Sequence, residues 1–281
     1  MNKRWKRWIG GLTITAAAMG SSLGAAAQEA PAQKAPIQEA PDQEAPNHEA
    51  KTQEAAKAPP ASLTLEELLR RNLEARGGAE AWQAVKTLAV TGAMTMGERK
   101  AALKLTYQRP LHFRFETELD GEKTVQAYDG EVGWVIPPYS DGGAIEVAQE
   151  ALPALAEQAD FEGPLIDHEK KGHTLTLAGR ETFDGKEAYR LRLVNARGEE
   201  SNIFLDAETY LELGQTLERT IQGQKAKIET HLRDYRPAGS LLFPRTIEQN
   251  ISLAPAPQII TFDSVEVNPE VEDGVFAFPE G

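Results

Sequence analysis

The chain has 281 residues, 43 acidic against 30 basic, a formal net charge of −13 and no cysteine. That balance argues against nucleic acid as a partner, because an acidic surface repels phosphate backbones. Without cysteine there can be no disulfide, no thiol nucleophile, no thiolate metal ligand and no amino-terminal lipidation on cysteine.

Residues 1–27 carry the three parts of an export signal: basic Lys3, Arg4, Lys6 and Arg7, an apolar centre from Ile9 to Ala18, and a small-residue end at Ala25-Ala26-Ala27. The sequence therefore predicts a signal peptide cleaved after Ala27 and a mature chain free in the periplasm. Removing those four positive charges from −13 leaves −17. Residues 28–61 repeat Gln-Glu-Ala-Pro-like units, as in Ile37-Gln38-Glu39-Ala40-Pro41 and Asp42-Gln43-Glu44-Ala45-Pro46. With almost no apolar bulk and frequent proline, such a segment cannot offset the entropy of ordering itself and reads as a disordered tether. The remainder, 62–281, is long enough to bury one sizeable core as a single domain.

That domain opens with a helix. Thr64 stands as N-cap, Glu67 three residues later completes a capping box, and Leu63 is placed to staple against Leu68. Leu65, Leu68, Leu69 and Leu73 share one face, and Gly77-Gly78 ends the helix. A second short helix over 79–85 puts Trp82 and Val85 on one side.

From Thr87 the apolar period becomes two. Leu103, Leu105 and Tyr107 alternate with Lys104 and Thr106, Phe113 and Phe115 with His112, Arg114 and Glu116, and Tyr189, Leu191 and Leu193 with Arg190 and Arg192. Turn signals at Gly97-Glu98, Asp120-Gly121, Asp129-Gly130, Asp184-Gly185, Arg197-Gly198 and Gln222-Gly223 separate these runs, as in an antiparallel meander. About eleven strands result, more than a twisted open sheet carries without curling. One interruption stands out: a loop over 139–143, then a helical stretch over 148–159 with Leu152 and Leu155 on one face. Its Pro153 must kink that helix or sit in its first turn.

Within this pattern, Arg109-Pro110-Leu111-His112-Phe113, then Asp129-Gly130 with Trp134 and Pro138, then Phe276-Ala277-Phe278-Pro279 near the end, resemble the LolA family of periplasmic lipoprotein carriers and its LolA/LolB-like relatives. The resemblance spans roughly 65–281 and is best over 109–138. It implies a mainly β (α+β) domain: an incomplete, strongly curved antiparallel barrel with an N-terminal helix and a helical lid over an apolar cavity. It implies acyl chains of lipoproteins or other lipids as cargo, an inner-membrane donor, an outer-membrane acceptor, and no cofactor. The cavity residues would be Leu103, Leu105, Tyr107, Phe113, Phe115 and Trp134, and the lid would include Leu152 and Leu155. Arg109, at the family's Arg-Pro position, would hydrogen-bond to lid backbone when closed and let go on loading.

The residues admit plainer readings. Arginine keeps its charge and needs acceptors, so Arg109 could equally pair with a surface carboxylate, and alternating aromatics suit any buried sheet face. Catalytic readings fare worse. His168 and His173 are five apart rather than the four a zinc helix needs, no Gly-x-Ser-x-Gly elbow occurs, and Gly179 with Gly185-Lys186 has the wrong spacing for a phosphate loop. His112 and His231 fall at polar strand positions without a nucleophile beside them. The reading is a non-enzymatic carrier without metal, and the alternative is a lipid or lipoprotein sensor or scaffold of the same shape.

Overall fold

Tight turns set the architecture of the protein, seen in a computed structural model that describes residues 63–138, 140, 143–221 and 223–279. The export signal and the repeat tether lie outside the described residues, as does most of the 139–143 loop. At Asp120-Gly121 both residues have positive φ, 54° and 83°, the conformation that lets a two-residue turn follow the twist of its strands. Asp184-Gly185 repeats it.

Thirteen strands result, two more than the periodicity suggests. They are β1 (Thr87–Met96), β2 (Arg99–Gln108), β3 (His112–Leu119), β4 (Glu122–Tyr128), β5 (Gly133–Ile136), β6 (Ile145–Glu146), β7 (Thr174–Phe183), β8 (Lys186–Val194), β9 (Glu200–Asp206), β10 (Glu212–Ile221), β11 (Gln224–Ala238), β12 (Leu241–Ile251) and β13 (Gln258–Val267). All join one sheet in the order β6-β5-β4-β3-β2-β1-β13-β12-β11-β10-β9-β8-β7. The single non-sequential neighbour is β1 beside β13, so the two meanders join through the first and last strands. The two-residue β6, too short to show alternation, is one of the extra strands.

The register shifts beside a glycine at three places: Thr91/Gly92, Leu177/Gly179 and Glu212/Gly214. A Cβ at Gly92 would fall on the carbonyl oxygen of Thr261, and one at Gly214 on that of Thr230, so backbone approach excludes larger residues at both.

Helices cover one face of the sheet. Helix α1 (Leu65–Ala75) starts where Thr64 Oγ1 accepts from the Glu67 N–H at 3.1 Å. The capping box is only half used, because the Glu67 carboxylate turns instead to Arg70 and Arg71, which hold its pKa down at about 2. Leu68 is buried among Leu175, Tyr189, Leu191, Leu193, Ile203 and Leu205, with Leu63 packed against the same cluster. Helix α2 (Ala79–Gln83) is shorter than the 79–85 stretch, yet Trp82 and Val85 both enter the larger core built from β1–β3 and β11–β13. Helix α3 (Leu152–Ala159) takes Pro153 in its first turn, where no intrahelical N–H is lost, after a short 3-10 turn over Gln149–Ala151. None of these helices is long and apolar enough to cross a membrane.

Candidate lid and cargo site

In an antiparallel ladder, paired residues share a face, so the pairings fix which side chains meet. Leu105 pairs with Phe115, and Tyr107 with Phe113, which pairs in turn with Tyr128. Together with Leu103 these lie on the helix-covered face and are buried in the larger core with Trp82 and Phe161. Tyr107 packs against Phe113 at 5.4 Å and Phe161 at 6.0 Å between ring centroids.

Trp134 does not join them. Tyr128 pairs with Gly133 and Ala127 with Trp134, so the tryptophan lies on the opposite face, with Val125 and Ala127. There its indole N–H donates to the Phe276 carbonyl at 2.8 Å, Phe278 meets it edge-on, and the Arg114 guanidinium sits 5.3 Å above its ring. Arg114 also donates to the Val275 carbonyl at 3.0 Å, so the last described residues strap the outer face of β3–β5. The length of the turn at Asp129-Gly130, which aperiodic residues conceal, reverses the expected side. Gly133 takes the covered position, and a Cβ there would collide with Leu155 and press on Leu152 at 3.2 Å. The missing side chain is what lets α3 settle on the sheet.

Leu155 is buried in the larger core, and Leu152 packs against its margin. The chain leaving α3 is held by a charged clasp. Arg109, in the β2–β3 turn, donates through Nε to the Val85 carbonyl at 2.6 Å and through Nη2 to the Trp82 carbonyl at 2.9 Å. The same Nη2 meets Glu162 Oε1 at 2.6 Å, and the guanidinium lies 4.9 Å over the Phe161 ring. One arginine therefore ties the carboxyl end of α2 to the segment following α3, using the acceptors a helix end leaves unpaired. Arg76 adds a bond to the Glu162 carbonyl at 3.1 Å while covering the Trp82 ring at 4.4 Å. Lys171 reaches Asp160 at 2.6 Å and the Gly163 carbonyl at 2.8 Å. Burial pushes the Asp160 carboxyl up, with Lys171 pulling against it. At the other side of α3, Glu157 binds Arg197 at 2.9 Å and Asn195 at 3.3 Å, both in the β8–β9 turn.

A cavity of about 240 Å³ sits at the end of β8–β10, walled by Leu193, Leu217 and Pro164, by polar Ser201 and Gln215, and by three acids, Glu199, Glu200 and Glu218, with Arg219 among them. None of the residues expected to line a cavity borders it; the aromatics of β2 and β3 are instead filled over by Leu155, Trp82 and Phe161. Only the pairing of Leu193 with Ser201, and of Ser201 with Leu217, identifies this wall, and no local motif announces it.

The catalytic alternatives come to rest in structural roles. His173 is buried, its Nδ1 accepting from the Ala196 N–H at 3.1 Å, and burial, then nearby Lys171, keeps its pKa low. His231 is buried rather than placed at a wet strand position, stacked on Phe183 at 5.2 Å. Among the described residues no three His, Asp or Glu side chains gather as metal ligands would.

No protein-family model matches the chain, and no curated protein matches it in sequence. Solved structures do match in fold. A DUF1329 family protein from Desulfovibrio piger aligns with TM-score 0.51 at 11% identity, covering 75% of this chain and 96% of the other. A LolA superfamily protein from Nitrosomonas europaea aligns with TM-score 0.50 at 11% identity, covering 77% and 98%. A putative outer membrane lipoprotein-sorting protein domain from Vibrio parahaemolyticus gives 0.48 at 11%, covering 74% and 97%. With one wide antiparallel sheet, a helix-covered face and the alignments at TM-scores 0.51 and 0.50, which cover nearly all of the Desulfovibrio piger and Nitrosomonas europaea proteins and about three quarters of this chain, the described chain has the fold of LolA superfamily and DUF1329 proteins.

Proposed function

We propose that the protein is a non-enzymatic envelope carrier that holds acyl chains of lipoproteins or other lipids on the covered face of its sheet. The observation that carries this reading is Arg109, which joins α2 to the segment after α3 across an apolar face. The clasp is only partly buried and joins two separate segments, so it can open with both charges returning to water.

The sheet curls into an incomplete barrel, and α2 and α3 form its lid. Thirteen strands exceed what a twisted open sheet carries flat, and glycine-linked bulges at Gly92, Gly179 and Gly214 bend a sheet locally. Cargo enters by the cavity beside Pro164, and the lid leucines Leu152 and Leu155 withdraw from Leu103, Leu105, Tyr107, Phe113 and Phe115 as chains take their place. Trp134 anchors the outer strap and takes no cargo. Apolar area removed from water contributes about 25 cal/mol per Å², so a few chains bind strongly and release needs a competing contact. The export signal places the mature chain in the periplasm, the tether gives it reach, and a donor and an acceptor membrane protein load and unload it.

Lipid extraction and mass spectrometry of the purified protein, with binding and release of a fluorescent acylated peptide, test this. Arg109→Leu should keep the fold and release the peptide about tenfold faster than wild type, since a bond to a charged donor contributes about 1.5–3 kcal/mol. Uptake should change less. Arg114→Leu, which loosens only the outer strap, should release at the wild-type rate. Equal behaviour of all three proteins refutes the clasp, and a protein that binds no acylated probe refutes the carrier.

A further inference from the structure

A row of polar side chains crosses the middle of the covered face. Gln258 pairs with Gln249, Gln249 with Thr230, and Thr230 with Gln215, so four neighbouring strands place one hydrogen-bonding group each at the same level. They are 4, 2, 0 and 9% exposed. Apolar rows run along both sides: Ile260, Ile247 and Leu232 on one, Ile251, Ile228 and Leu217 on the other. Nothing in a half-buried sheet requires this stripe, since leucine or valine would fill each position without a polar group to satisfy.

The row does not close on itself. Gln249 Nε2 donates to Thr230 Oγ1 at a long 3.4 Å, and Gln249 Oε1 has no partner. Gln215, at the other end, lines the cavity beside Pro164. Two further buried groups, on the helices, are unpaired: Gln158, on the buried side of α3, has neither amide atom bonded, and the Trp82 indole N–H is likewise without a partner. Buried polar groups are nearly always satisfied, and a glutamine row that served only to pin strand register would satisfy itself.

We infer that the row is a polar subsite for cargo, receiving the uncharged donor of an amphiphile, a glyceryl hydroxyl or an amide N–H, while the apolar rows beside it take the chains. This rests on the carrier reading and adds a chemical preference to it. Gln215 meets the donor at the cavity mouth, and Gln249 Oε1 accepts it once the lid lifts. No charged side chain stands in the row, and the cavity mouth at Gln215 carries three acids, Glu199, Glu200 and Glu218, against Arg219, so an anionic headgroup gains nothing there.

The test is displacement of a fluorescent fatty-acid probe by a monoacylglycerol, a primary fatty amide and a fatty-acid methyl ester of equal chain length. The first two donate a hydrogen bond and the third cannot. Wild type should prefer each donor over the methyl ester by about tenfold, against the order that water-to-hydrocarbon partition alone would give. Preference for one donor alone identifies it as the ligand chemistry. Gln249→Leu and Gln215→Leu should keep methyl ester affinity and lose the preference. Equal affinities in wild type overturn the subsite, as does a preference that survives in folded leucine variants. Should the variants not fold, the wild-type order decides. Displacement by none of the three removes the carrier reading and the subsite together, whereas displacement without preference removes only the subsite.

Discussion

The two halves of the covered face are made differently. Under α2 and α3, rings fill the space: Trp82, Tyr107, Phe113, Phe115, Tyr128, Phe161, Phe243 and Phe262 form one buried cluster, closed above by Leu155 and clasped by Arg109. Under α1, the cluster of β7–β9 is leucine and isoleucine around a single buried ring, Tyr189, and beyond it the surface opens into the cavity at Leu193 and Leu217. The same sheet thus carries one half packed under α3 and another that borders the cavity at Leu193 and Leu217. Packing is therefore decided by what each helix brings to the face it covers, since α1 presents one row of leucines while α3 lies against a glycine.

The sharpest way to break this comparison is truncation in each half. Phe113→Ala should destabilise by about 3–5 kcal/mol, because a ring enclosed by other rings leaves a void that cannot collapse. Leu217→Ala, at a wall already facing open space, should cost about 1 kcal/mol. Urea unfolding of both variants measures the gap, and equal losses would mean that the far half is as tightly filled as the near one.

Enlargement should show the same contrast more weakly. Gly133→Val drives a side chain into Leu155 and should cost about 1–3 kcal/mol, or displace α3. Ser201→Val adds bulk on the cavity side and should stay within about 0.5 kcal/mol of wild type. A thermal melt in which Gly133→Val equals wild type would show that α3 does not press on β5.

Much of this was legible in the chain. Period-two runs with Asp-Gly turns fix the hairpins, Thr64 fixes the start of α1, and Pro153 fixes the start of α3, because each acts on backbone within a few residues of itself. What fails to show is parity across turns. Trp134 belongs with Phe113 in the cavity that the resemblance implies, yet the register Ala127 to Trp134 sets it on the other face. The partners of Arg109 are 24, 27 and 53 residues away, so its need for acceptors could be read and their identity could not. The glutamine row is invisible for the same reason, since its four members become neighbours only through three separate registers.

The smallest expected effect contrasts one carboxylate from each half. Burial pushes Asp160, beside α3, above the ordinary 3.8, with Lys171 opposing. Burial also opposes ionisation of Asp206, at the end of β9, yet the N–H groups of Thr209 and Glu208, with Lys186, outweigh it and hold its pKa below 3.8. The two have opposite consequences for folding. For Asp160 the folded state binds the proton more readily than the unfolded chain, so its contribution falls as pH rises from 3.8 through the raised folded value. For Asp206 the contribution is fully present above 3.8 and is lost as pH falls through the depressed folded value. Melting temperatures of wild type, Asp160→Asn and Asp206→Asn against pH isolate each group as a difference curve. Wild type should lose ground to Asp160→Asn as pH rises through the first window and gain on Asp206→Asn as pH rises through the second. Two difference curves of the same sign would mean that the Asp160 carboxylate is not strained by burial, and that it forms an ordinary ion pair with Lys171.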